Sequence, residues 1–447
     1  MDPSTVQTLR DAVGRYRRQI LEAERYLWQH PETGYREALS SQYMEDAFTR
    51  LGYSVTRAEG IPGFYTVLDT GRTGPELLIL SELDSVICPA HPEANPETGA
   101  VHACGHHAQG AAILGIAAAL TDPAVTAPLS GRVRLCVVPA EELLELEYRS
   151  LLKKQGKIRY FTGKSEFLSR GYFDGVDLAL MVHVSNANSV TLGAVGCIAK
   201  TVTYKGRAAH AGGNPWDGCN ALYAATAGLN AVNAIRETFR DSDLIRVHPI
   251  VTHGGDMVNA IPSTVRLESY VRGKTAKAIK EENQKVNRAL IGGALSLGAN
   301  IEIDDMAGYA PLINAPDMIT LAGDAAALAL PEDSFTIHEI YSTGSTDMGD
   351  LSAIMPVVHP YVAGAVGTSH GSDYFLTDPD AACVKNAVWQ LTMLTLLLEN
   401  GGERAKQIIS DYRPLFASKE AFLAYQASLF DSGERITYKE DKAELRL

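Results

Sequence analysis

Residues 101–120 read VHACGHHAQGAAILGIAAAL, and this stretch carries the strongest signal in the chain for both fold and chemistry. Its second half is a smooth apolar helix pattern. Its first half crowds together three imidazoles and a thiol, those of His102, Cys104, His106 and His107. Each of these side chains is a potential metal ligand and is costly to bury unpaired. An apolar strand pattern that ends in acids, ELLILSELDS (76–85), lies shortly before them. Ligand-type residues between a strand end and a helix start are typical of sites in open α/β sheets.

Further side chains that could do chemistry stand where other predicted strands end: Glu82 and Asp84 in SELDS, Glu141 and Glu142 in VVPAEE, and His183 in LMVHV. His370 lies in the Gly/Ser-rich loop GTSHGSD (367–373). Because the carboxyl ends of parallel strands meet at one edge of a sheet, we expect these side chains to converge. The predicted ligands of one or two divalent metals are Cys104, His106, Glu142, His183 and His370.

The chemistry of this ligand set is that of a hydrolytic metal site. Mixed sulfur, nitrogen and oxygen ligands suit zinc, with manganese and cobalt as alternatives, and a thiolate can bridge two cations. Glu141 and Glu142 are neighbours in an extended segment, so their side chains point in opposite directions. One of them can bind metal, while the other accepts a proton from a metal-bound water and passes it to a leaving nitrogen.

Composition excludes several other classes. The chain has 447 residues, 46% of them hydrophobic and 21% charged, which is ordinary for an enzyme and too long for one compact core. The net charge of −13 argues against a nucleic-acid-binding protein. The six cysteines show neither paired nor CxxC spacing, which suits free thiols in a reducing compartment. We find no signal-peptide pattern and no apolar run of about 18 residues that could span a bilayer. We therefore expect a cytoplasmic protein without membrane or nucleic-acid partners.

The secondary-structure pattern changes character twice along the chain. Residues 1–194 alternate helices with short apolar strands, as in a mainly parallel sheet. Residues 195–311 follow the order β-α-β-β-α-β, the split βαβ arrangement, and residues 312–447 return to the first style. We predict a two-domain α/β protein with a discontinuous metal-binding catalytic domain (1–194 and 312–447) and an inserted ferredoxin-like βαββαβ domain (195–311). For the polar segment 143–170 we expect helix plus a surface excursion.

Seven motifs, in one order, match a known family: HPETGYRE (30–37), HACGHH (102–107), PAEE (139–142), GRAAHAGGNPWDGCNAL (206–222), NAIPS (259–263), STDMGDLS (345–352) and GTSHGSD (367–373). On these motifs the chain resembles the aminoacylase/carboxypeptidase-G-type metallo-amidohydrolases. It looks closest to the branch of the indole-acetyl-amino-acid hydrolases, aminobenzoyl-glutamate hydrolase and the β-alanyl-lysine-type dipeptidases. The resemblance runs nearly end to end, and it implies that the inserted domain is a lid and dimerisation domain.

The resemblance also implies a role for each matching residue of the catalytic domain. Cys104 would be a metal ligand that bridges if two metals bind. His106, Glu142, His183 and His370 would complete the ligand set. Glu141 would be the general base. Asp84 would be a carboxylate that orients a ligand, a common need of metal sites.

Three residues of the inserted domain receive roles from the resemblance as well. His210 would contact the oxyanion of the tetrahedral intermediate and, as in the family, reach across a homodimer into the partner's site. Asn259 and Arg272 would hold the carboxylate of the substrate, a task that suits an Arg fork. The alternatives are that Asn259 only caps a turn before Pro262 and that Arg272 is an exposed strand residue.

The chain departs from the family pattern at three places. His107 stands where the family usually has Asp, or Asn in the dipeptidase-like branch. Glu82 precedes Asp84 where the family usually reads ADMD, so Glu82 is either an extra ligand or a spectator. LLELEYRSLLKKQGKIRY (143–160) replaces the usual Gly-rich stretch after PAEE. That stretch borders the substrate pocket in relatives, so the departure concerns the substrate rather than the hydrolytic core.

The leading functional hypothesis is a metal-dependent amidohydrolase with two divalent cations per chain, zinc, manganese or cobalt. It would cleave an amide bond of an N-acyl amino acid, an aminobenzoyl-glutamate-like conjugate or an unusual dipeptide through a metal-bound water. We expect a homodimer. One alternative is a non-catalytic or partner-dependent binding subunit on the same scaffold, with a second type of subunit as partner. Another is an aminopeptidase or dipeptidase that requires a free N-terminus.

Overall fold

A computed structural model describes residues 1–440 and 442–447 and divides the chain into two compact units. The first unit comprises Met1–Gly193, Leu312–Ile340 and Thr346–Lys419. The second comprises Ala194–Pro311, Tyr341–Ser345 and Glu420–Leu447. Each unit combines helices with sheet.

The described α-helices are α1 (Pro3–Gly14), α2 (Arg17–Gln29), α3 (Ala38–Arg50), α4 (His106–Ala119), α5 (Pro123–Thr126), α6 (Leu146–Lys154), α7 (Gly163–Ser169), α8 (Ala221–Ile235), α9 (Ala276–Ser296), α10 (Pro316–Ala329), α11 (Met348–Ser352), α12 (Asn386–Leu398), α13 (Glu403–Asp411) and α14 (Lys419–Ala427). The described strands are β1 (Thr56–Arg57), β2 (Phe64–Asp69), β3 (Glu76–Glu82), β4 (Val86–Ile87), β5 (Ala100–Val101), β6 (Arg132–Val138), β7 (Leu178–Leu180), β8 (His183–Ser185), β9 (Asn188–Ala194), β10 (Gly196–Lys205), β11 (Arg246–His253), β12 (Thr264–Gly273), β13 (Asn300–Ala307), β14 (Leu312–Ile313), β15 (Phe335–Ser342), β16 (Val357–Val358), β17 (Tyr361–Ala363), β18 (Ala365–Val366), β19 (Phe375–Leu376), β20 (Asp431–Glu434), β21 (Ile436–Lys439) and β22 (Lys442–Leu445).

The first unit is built on a six-stranded sheet in the order β1-β2-β6-β3-β7-β16. The strands from β6 to β16 run parallel, and β2 joins β6 antiparallel. Every residue of β3 is buried, as expected for a strand covered on both faces. The predicted mainly parallel sheet is therefore confirmed. Since β3, β6 and β7 are parallel neighbours, their carboxyl ends lie at the same edge.

Helix α4 forms the centre of the first unit and is buried on all sides. Two glycines let neighbouring helices approach closely. A methyl group added at Gly110 would lie 2.7 Å from Leu27 Cδ1, and one at Gly115 would lie 2.7 Å from Ile20 Cδ1. The helix begins after Gly105, whose φ of 103° is in the left-handed region that favours glycine. This tight start places His106 in the first turn, beside the end of β3.

Contrary to the expectation that no apolar run could span a bilayer, one helical segment of the described chain, Asp380–Leu398, is long and apolar enough to do so by length and composition alone. It consists of a π-helical turn and α12. Of its apolar window, 89% is buried inside the protein. Its apolar surface is therefore used in packing against the rest of the chain.

The second unit holds an antiparallel five-stranded sheet in the order β11-β12-β10-β13-β20. Its chain order β10-α8-β11-β12-α9-β13 is the predicted βαββαβ arrangement. Burial alternates strictly along β12, which is typical of a sheet with one covered face. The fifth strand, β20, comes from the C-terminal part of the chain and was not predicted.

The C-terminal segment belongs to a different unit from the one assigned by the sequence. Residues 420–447 were expected in the catalytic domain, whereas they group with the second unit. Strand β20 pairs with β13, and the buried Arg435 donates to the Ile303 carbonyl at 2.9 Å. Asp, Ser and Gly dominate β20 and are depleted in strands, so the sequence pattern hides this pairing.

Segment 143–170 contains the expected helix, in α6 and α7, but much of it is not a surface excursion. Arg149, Lys164 and Glu166 are each 1% exposed or less. The expectation was wrong for these residues because buried groups of the protein partner their charges. Carbonyls bind Arg149, carboxylates bind Lys164, and backbone N–H groups and a guanidinium bind Glu166. Sequence polarity alone does not reveal such partners.

Candidate metal and catalytic site

The predicted site residues of the first unit lie on turns that follow its parallel strands or begin α4. Cys104 and His106 flank Gly105 at the start of α4, and the Glu141–Glu142 pair follows β6. His183 begins β8, shortly after β7. His370, with a φ of 64°, lies in the loop between β18 and β19 and donates its backbone N–H to the Ala103 carbonyl at 2.8 Å.

The structure brings all five predicted ligands together. Their ligand atoms form overlapping groups within which all atoms lie within 4.8 Å of one another: Cys104, His106 and His183; Cys104, Glu142 and His370; and His106, Glu141 and Glu142. The Cys104 Sγ lies 3.5 Å from His183 Nε2, and His370 Nε2 lies 2.9 Å from Glu142 Oε1. Glu141, the predicted general base, shares the third group with two predicted ligands.

Backbone acceptors orient two of the imidazoles towards this cluster. His106 Nδ1 lies 2.9 Å from the Asp84 carbonyl, and His183 Nδ1 lies 2.8 Å from the Val184 carbonyl. A carbonyl can only accept, so the proton of each neutral ring is on Nδ1 and the lone pair is on Nε2. The buried His106 Nε2 has no hydrogen-bond partner among the described residues and lies 3.2 Å from Glu82 Oε2. A lone pair facing a carboxylate fits a site that receives a cation, so this donor set fits a divalent metal.

The charges of the cluster shift the pKa values of its members in opposite directions. Burial raises the pKa of Cys104, but the imidazoles of His106 and His183 outweigh burial and lower it to about 5. Burial also raises the pKa of Glu142, but His370 lowers it to about 2. The pKa of Glu141 is raised well above its ordinary value by burial and by the neighbouring carboxylates of Glu82 and Glu142. Two adjacent glutamates thus differ widely in proton affinity, a pattern typical of an acid–base pair.

Asp84 is buried between two predicted ligands. Its Oδ1 lies 3.2 Å from His106 Nδ1, and its Oδ2 accepts a 2.8 Å hydrogen bond from the Glu142 backbone N–H. This geometry is that of a carboxylate that orients metal ligands, the role that the resemblance implies.

A buried ion network that the sequence pattern did not predict lies next to Glu141. Lys164 Nζ contacts both Glu82 and Asp347, and all three side chains are buried. Ligand atoms of Glu82, Glu141 and Asp347 lie within 4.8 Å of one another. Burial raises the pKa of Asp347 to about 7, although Lys164 opposes this shift. Asp347 lies in the quoted motif STDMGDLS, but nothing in its spacing pointed to Lys164. The bond to Lys164 gives Glu82 an ionic partner within the protein.

His107 is not grouped with the predicted ligands. Its Nε2 lies 3.5 Å from Glu24 Oε1, and its ring packs edge-on against Trp28 with 4.9 Å between centroids. Burial lowers the pKa of His107 to about 3, which keeps this ring neutral. The residue that departs from the family pattern therefore faces α2.

The three predicted substrate-contact residues lie in the second unit. His210 Nδ1 accepts hydrogen bonds from the backbone N–H groups of Gly212 and Gly213, at 3.1 and 2.9 Å. The neutral ring therefore carries its proton on Nε2 as a donor. The Asn259 carbonyl accepts from the Ala211 N–H at 2.9 Å, so Asn259 is close to His210 in the fold.

Arg272 is half-buried on β12, so it is not simply an exposed strand residue. Its Nη1 donates to Ser345 Oγ at 2.9 Å, and its guanidinium carbon lies 5.4 Å from the centroid of the Tyr270 ring. These contacts restrict the side chain while leaving other guanidinium donors for a ligand.

The fold and this group of side chains define a two-unit α/β protein with a candidate metal centre. The chain belongs to peptidase family M20/M25/M40, whose family model matches residues 78–393. This membership confirms the predicted resemblance and makes the protein a hydrolase of that family.

Named relatives and a solved structure agree with this assignment. The chain is 28% identical over 366 residues to the Xaa-Arg dipeptidase of Mus musculus, covering 78% of each chain. It is 28% identical over 364 residues to the indole-3-acetyl-aspartic acid hydrolase of Enterobacter agglomerans, covering 76% of this chain and 78% of that one. The fold is similar to that of a dinuclear metal binding peptidase of the M20 family from Bacillus subtilis. The TM-score is 0.61 at 20% identity, with 86% of this chain and 99% of that chain covered.

Proposed function

We propose that this M20-family protein is a metal-dependent amidohydrolase whose metal is held by Cys104, His106, Glu142, His183 and His370. One observation carries the proposal: these side chains come from four separate parts of the chain, yet their ligand atoms form groups no more than 4.8 Å across. A thiol, imidazoles and carboxylates, of which Cys104, His106 and Glu142 are buried, gain little from such crowding unless a cation compensates them. Zinc, manganese and cobalt all accept this mixture of ligands, and one or two ions would fit the overlapping groups.

A bound cation would supply Lewis-acid polarisation of the scissile carbonyl and activation of the attacking water. The protein supplies the proton transfers. Glu141 accepts the proton of the attacking water at its carboxylate and delivers that proton to the leaving nitrogen. Asp84 keeps His106 and the backbone of Glu142 in place during the reaction. The buried surroundings exclude bulk water from Glu141 and so strengthen these interactions.

The second unit is proposed to act as the lid and dimerisation domain. His210 offers an Nε2–H donor that suits a developing oxyanion. Arg272 and Asn259 suit a substrate carboxylate. We further propose a homodimer in which His210 serves the partner's site. A cytoplasmic location is supported by the six cysteines, which are free thiols in the described chain.

The proposed substrate is an amide whose amino-acid half carries a free carboxylate. The named relatives support this class, since their substrates are an Xaa-Arg dipeptide and indole-3-acetyl-aspartic acid. Candidates are an N-acyl amino acid, an aminobenzoyl-glutamate-like conjugate and an unusual dipeptide. Family membership does not distinguish among them.

A hydrolysis panel tests the proposal. The purified chain, loaded in turn with Zn²⁺, Mn²⁺ or Co²⁺, is offered N-acetyl amino acids, aminobenzoyl-glutamate, indole-3-acetyl-aspartate and Xaa-Arg dipeptides. We expect release of the free amino acid from at least one of them. Activity on free dipeptides and none on their N-acetylated forms would instead indicate an aminopeptidase or dipeptidase that needs a free N-terminus. A metal-loaded protein that is inert on every amide would favour a binding subunit that depends on a partner chain.

A further inference from the structure

The turn that carries Glu141 and Glu142 is held in an unusual conformation by buried side chains. Ala140 has a φ of 56°, in the left-handed region that a residue with a Cβ rarely adopts. Its backbone N–H donates to Glu37 Oε1 at 2.7 Å, and the Glu142 N–H donates to Asp84 Oδ2 at 2.8 Å. A strained non-glycine residue of this kind persists only when its surroundings enforce it.

Arg149 holds the carbonyl groups of the same turn from the opposite side. This residue lies on α6 and is 1% exposed. Its Nη1 donates to the Ala140 carbonyl at 3.5 Å and to the Phe161 carbonyl, and its Nη2 donates to the Glu142 carbonyl. A buried guanidinium bound to neutral carbonyls forms charge-assisted hydrogen bonds, which are stronger than ordinary ones. Helix α6 lies within 143–160, the stretch in which this chain departs from the pattern of the family it resembles.

The motif HPETGYRE (30–37), which the proposed reaction does not use, forms the other wall of this arrangement. A methyl group added at Gly34 would overlap Arg149 Nη2 and would lie 3.0 Å from Ala140 Cα. The guanidinium carbon of Arg149 lies 5.6 Å from the centroid of the Tyr35 ring. Glu37, at the end of the motif, is the residue that accepts from Ala140. The motif therefore provides room for the guanidinium and an acceptor for the strained turn.

The two glutamates of the turn share one group with His106 but differ in their other neighbours. Glu141 also groups with Glu82 and Asp347, whereas Glu142 groups with Cys104 and His370. A rotation of the backbone between them would remove one carboxylate from the candidate metal ligands or the other from its place as base. The hydrogen bonds to both sides of residue 142 and to both sides of residue 140 oppose that rotation.

We propose that Arg149 and Glu37 are positioning residues that clamp the turn at 140–142, so that Glu142 points to the metal and Glu141 to the substrate. This inference rests on the proposed function for the roles of the two glutamates. Neither clamp residue is among the grouped candidate metal ligands. Arg149 is supplied by α6, a helix of the segment 143–160.

Cobalt binding tests the clamp without a substrate. Co²⁺ is titrated into wild type, Arg149→Ala and the matched control Arg159→Ala, an exposed arginine of the same segment. The readouts are the thiolate-to-cobalt charge-transfer band and the d–d bands. We expect Arg149→Ala to bind Co²⁺ about 10–100-fold more weakly with altered d–d bands, as for other residues that orient ligands. Added millimolar guanidinium restores both readouts, and Arg159→Ala behaves as wild type. A folded Arg149→Ala with wild-type affinity and spectrum would overturn the role of Arg149.

Glu37 provides a second test that does not depend on the folding of the arginine variant. Glu37→Gln keeps an oxygen acceptor for the Ala140 N–H and is expected to retain wild-type cobalt binding. Glu37→Ala removes that acceptor and is expected to weaken Co²⁺ binding to a similar degree as Arg149→Ala. An equal loss of Co²⁺ affinity in both variants would show that the acceptor oxygen of residue 37 does not determine Co²⁺ binding and would overturn the role of Glu37.

Hydrogen exchange of the metal-free protein separates this inference from the proposed function. Mass spectrometry of peptides covering 139–145 reports the amides of Ala140 and Glu142 directly. We expect Glu37→Ala and Arg149→Ala to speed their exchange at least about 10-fold, an opening of the local structure. If exchange is faster in the two variants but the wild-type chain hydrolyses no amide, the proposed function is contradicted and the clamp is still supported. Unchanged exchange in both variants would reject the clamp, whatever the wild type hydrolyses.

Discussion

Asp84 Oδ2 accepts a 2.8 Å hydrogen bond from the backbone N–H of Glu142. The other oxygen of the same carboxylate lies 3.2 Å from His106 Nδ1. One buried side chain at the end of β3 thus sets both the ring of one predicted ligand and the backbone of another. The candidate site is therefore organised around the end of β3.

Asp84→Asn is expected to disturb both contacts without changing the size of the side chain. The amide has one acceptor oxygen, but two N–H donors point at this group, so one of them loses its acceptor and faces an NH₂. Metal affinity or activity should fall about 10–100-fold. Competition between the protein and a chromogenic zinc chelator measures the affinity. Asp241→Asn, on an exposed turn, serves as control, and an affinity equal to that of the control would contradict the orienting role.

Glu141→Gln is expected to lower kcat by about 10²–10⁴-fold, because the amide cannot accept the proton of the attacking water. Metal content should not change, since Glu142 and not Glu141 is the predicted ligand. The measurement is kcat on the substrate identified in the panel, together with metal analysis of the same sample. Glu97→Gln, an exposed glutamate, should keep full activity. A fully active Glu141→Gln would refute the proposed mechanism.

Lys164→Met is expected to destabilise the protein strongly. The substitution leaves the buried carboxylates of Glu82 and Asp347 without their cation, and breaking a buried ion pair in this way costs about 3–5 kcal/mol. Chemical denaturation of the variant should show the loss. Lys277→Met removes a lysine whose side chain is 83% exposed and should change the stability by less than about 0.5 kcal/mol. Similar effects from the two substitutions would mean that the buried network is not stabilising.

Glu24 gives a prediction about pH. Burial raises the pKa of this carboxyl from 4.5 to about 7, against a small opposite effect of Arg25. A carboxyl whose pKa is higher in the folded state than in the unfolded state stabilises the fold at pH values below its unfolded-state pKa. That contribution to stability is lost as the pH rises through about 7. Urea denaturation of the chelator-treated protein should therefore show Glu24→Gln gaining about 1–2 kcal/mol over wild type at about pH 8 and little at about pH 4.

Glu22→Gln provides the control for Glu24, because this residue is on the same helix with a side chain that is 56% exposed. Glu22→Gln should change the free energy of unfolding only slightly at both pH values, about 4 and about 8. If wild type and Glu24→Gln lose stability equally between about pH 4 and about pH 8, Glu24 does not contribute to the pH dependence.

The sequence predicted the sheet of the first unit well because its strands are short apolar runs. The apolar pattern at 76–85 contains β3, and the pattern VVPAEE begins at the end of β6. Burial on both faces leaves a continuous hydrophobic signature that does not depend on knowing the partners. Strand β20 has no such signature, because Asp431–Glu434 is polar and its pairing depends on β13.

Convergence of the site residues could be predicted, but their individual surroundings could not. Strand ends indicated which side chains would meet. Neighbouring residues on a helix are about 100° apart around its axis, so His106 and His107 point in different directions despite their adjacency. Arg149 and Lys164 were missed because a charged residue in a polar segment usually lies at the surface. Only the tertiary structure shows the buried acceptors that hold them.

Anomalous diffraction from crystals of the protein grown with Mn²⁺ or Zn²⁺ is the decisive test of the proposed metal site. We expect one or two anomalous peaks within bonding distance of the Cys104 sulfur and of the side chains of His106, Glu142, His183 and His370. Glu141 should lie beside the metal without being one of its ligands. The contradicting result would come from a protein that binds the metal in solution. Its crystals would show an ordered ion held by other residues and no ion at these five side chains.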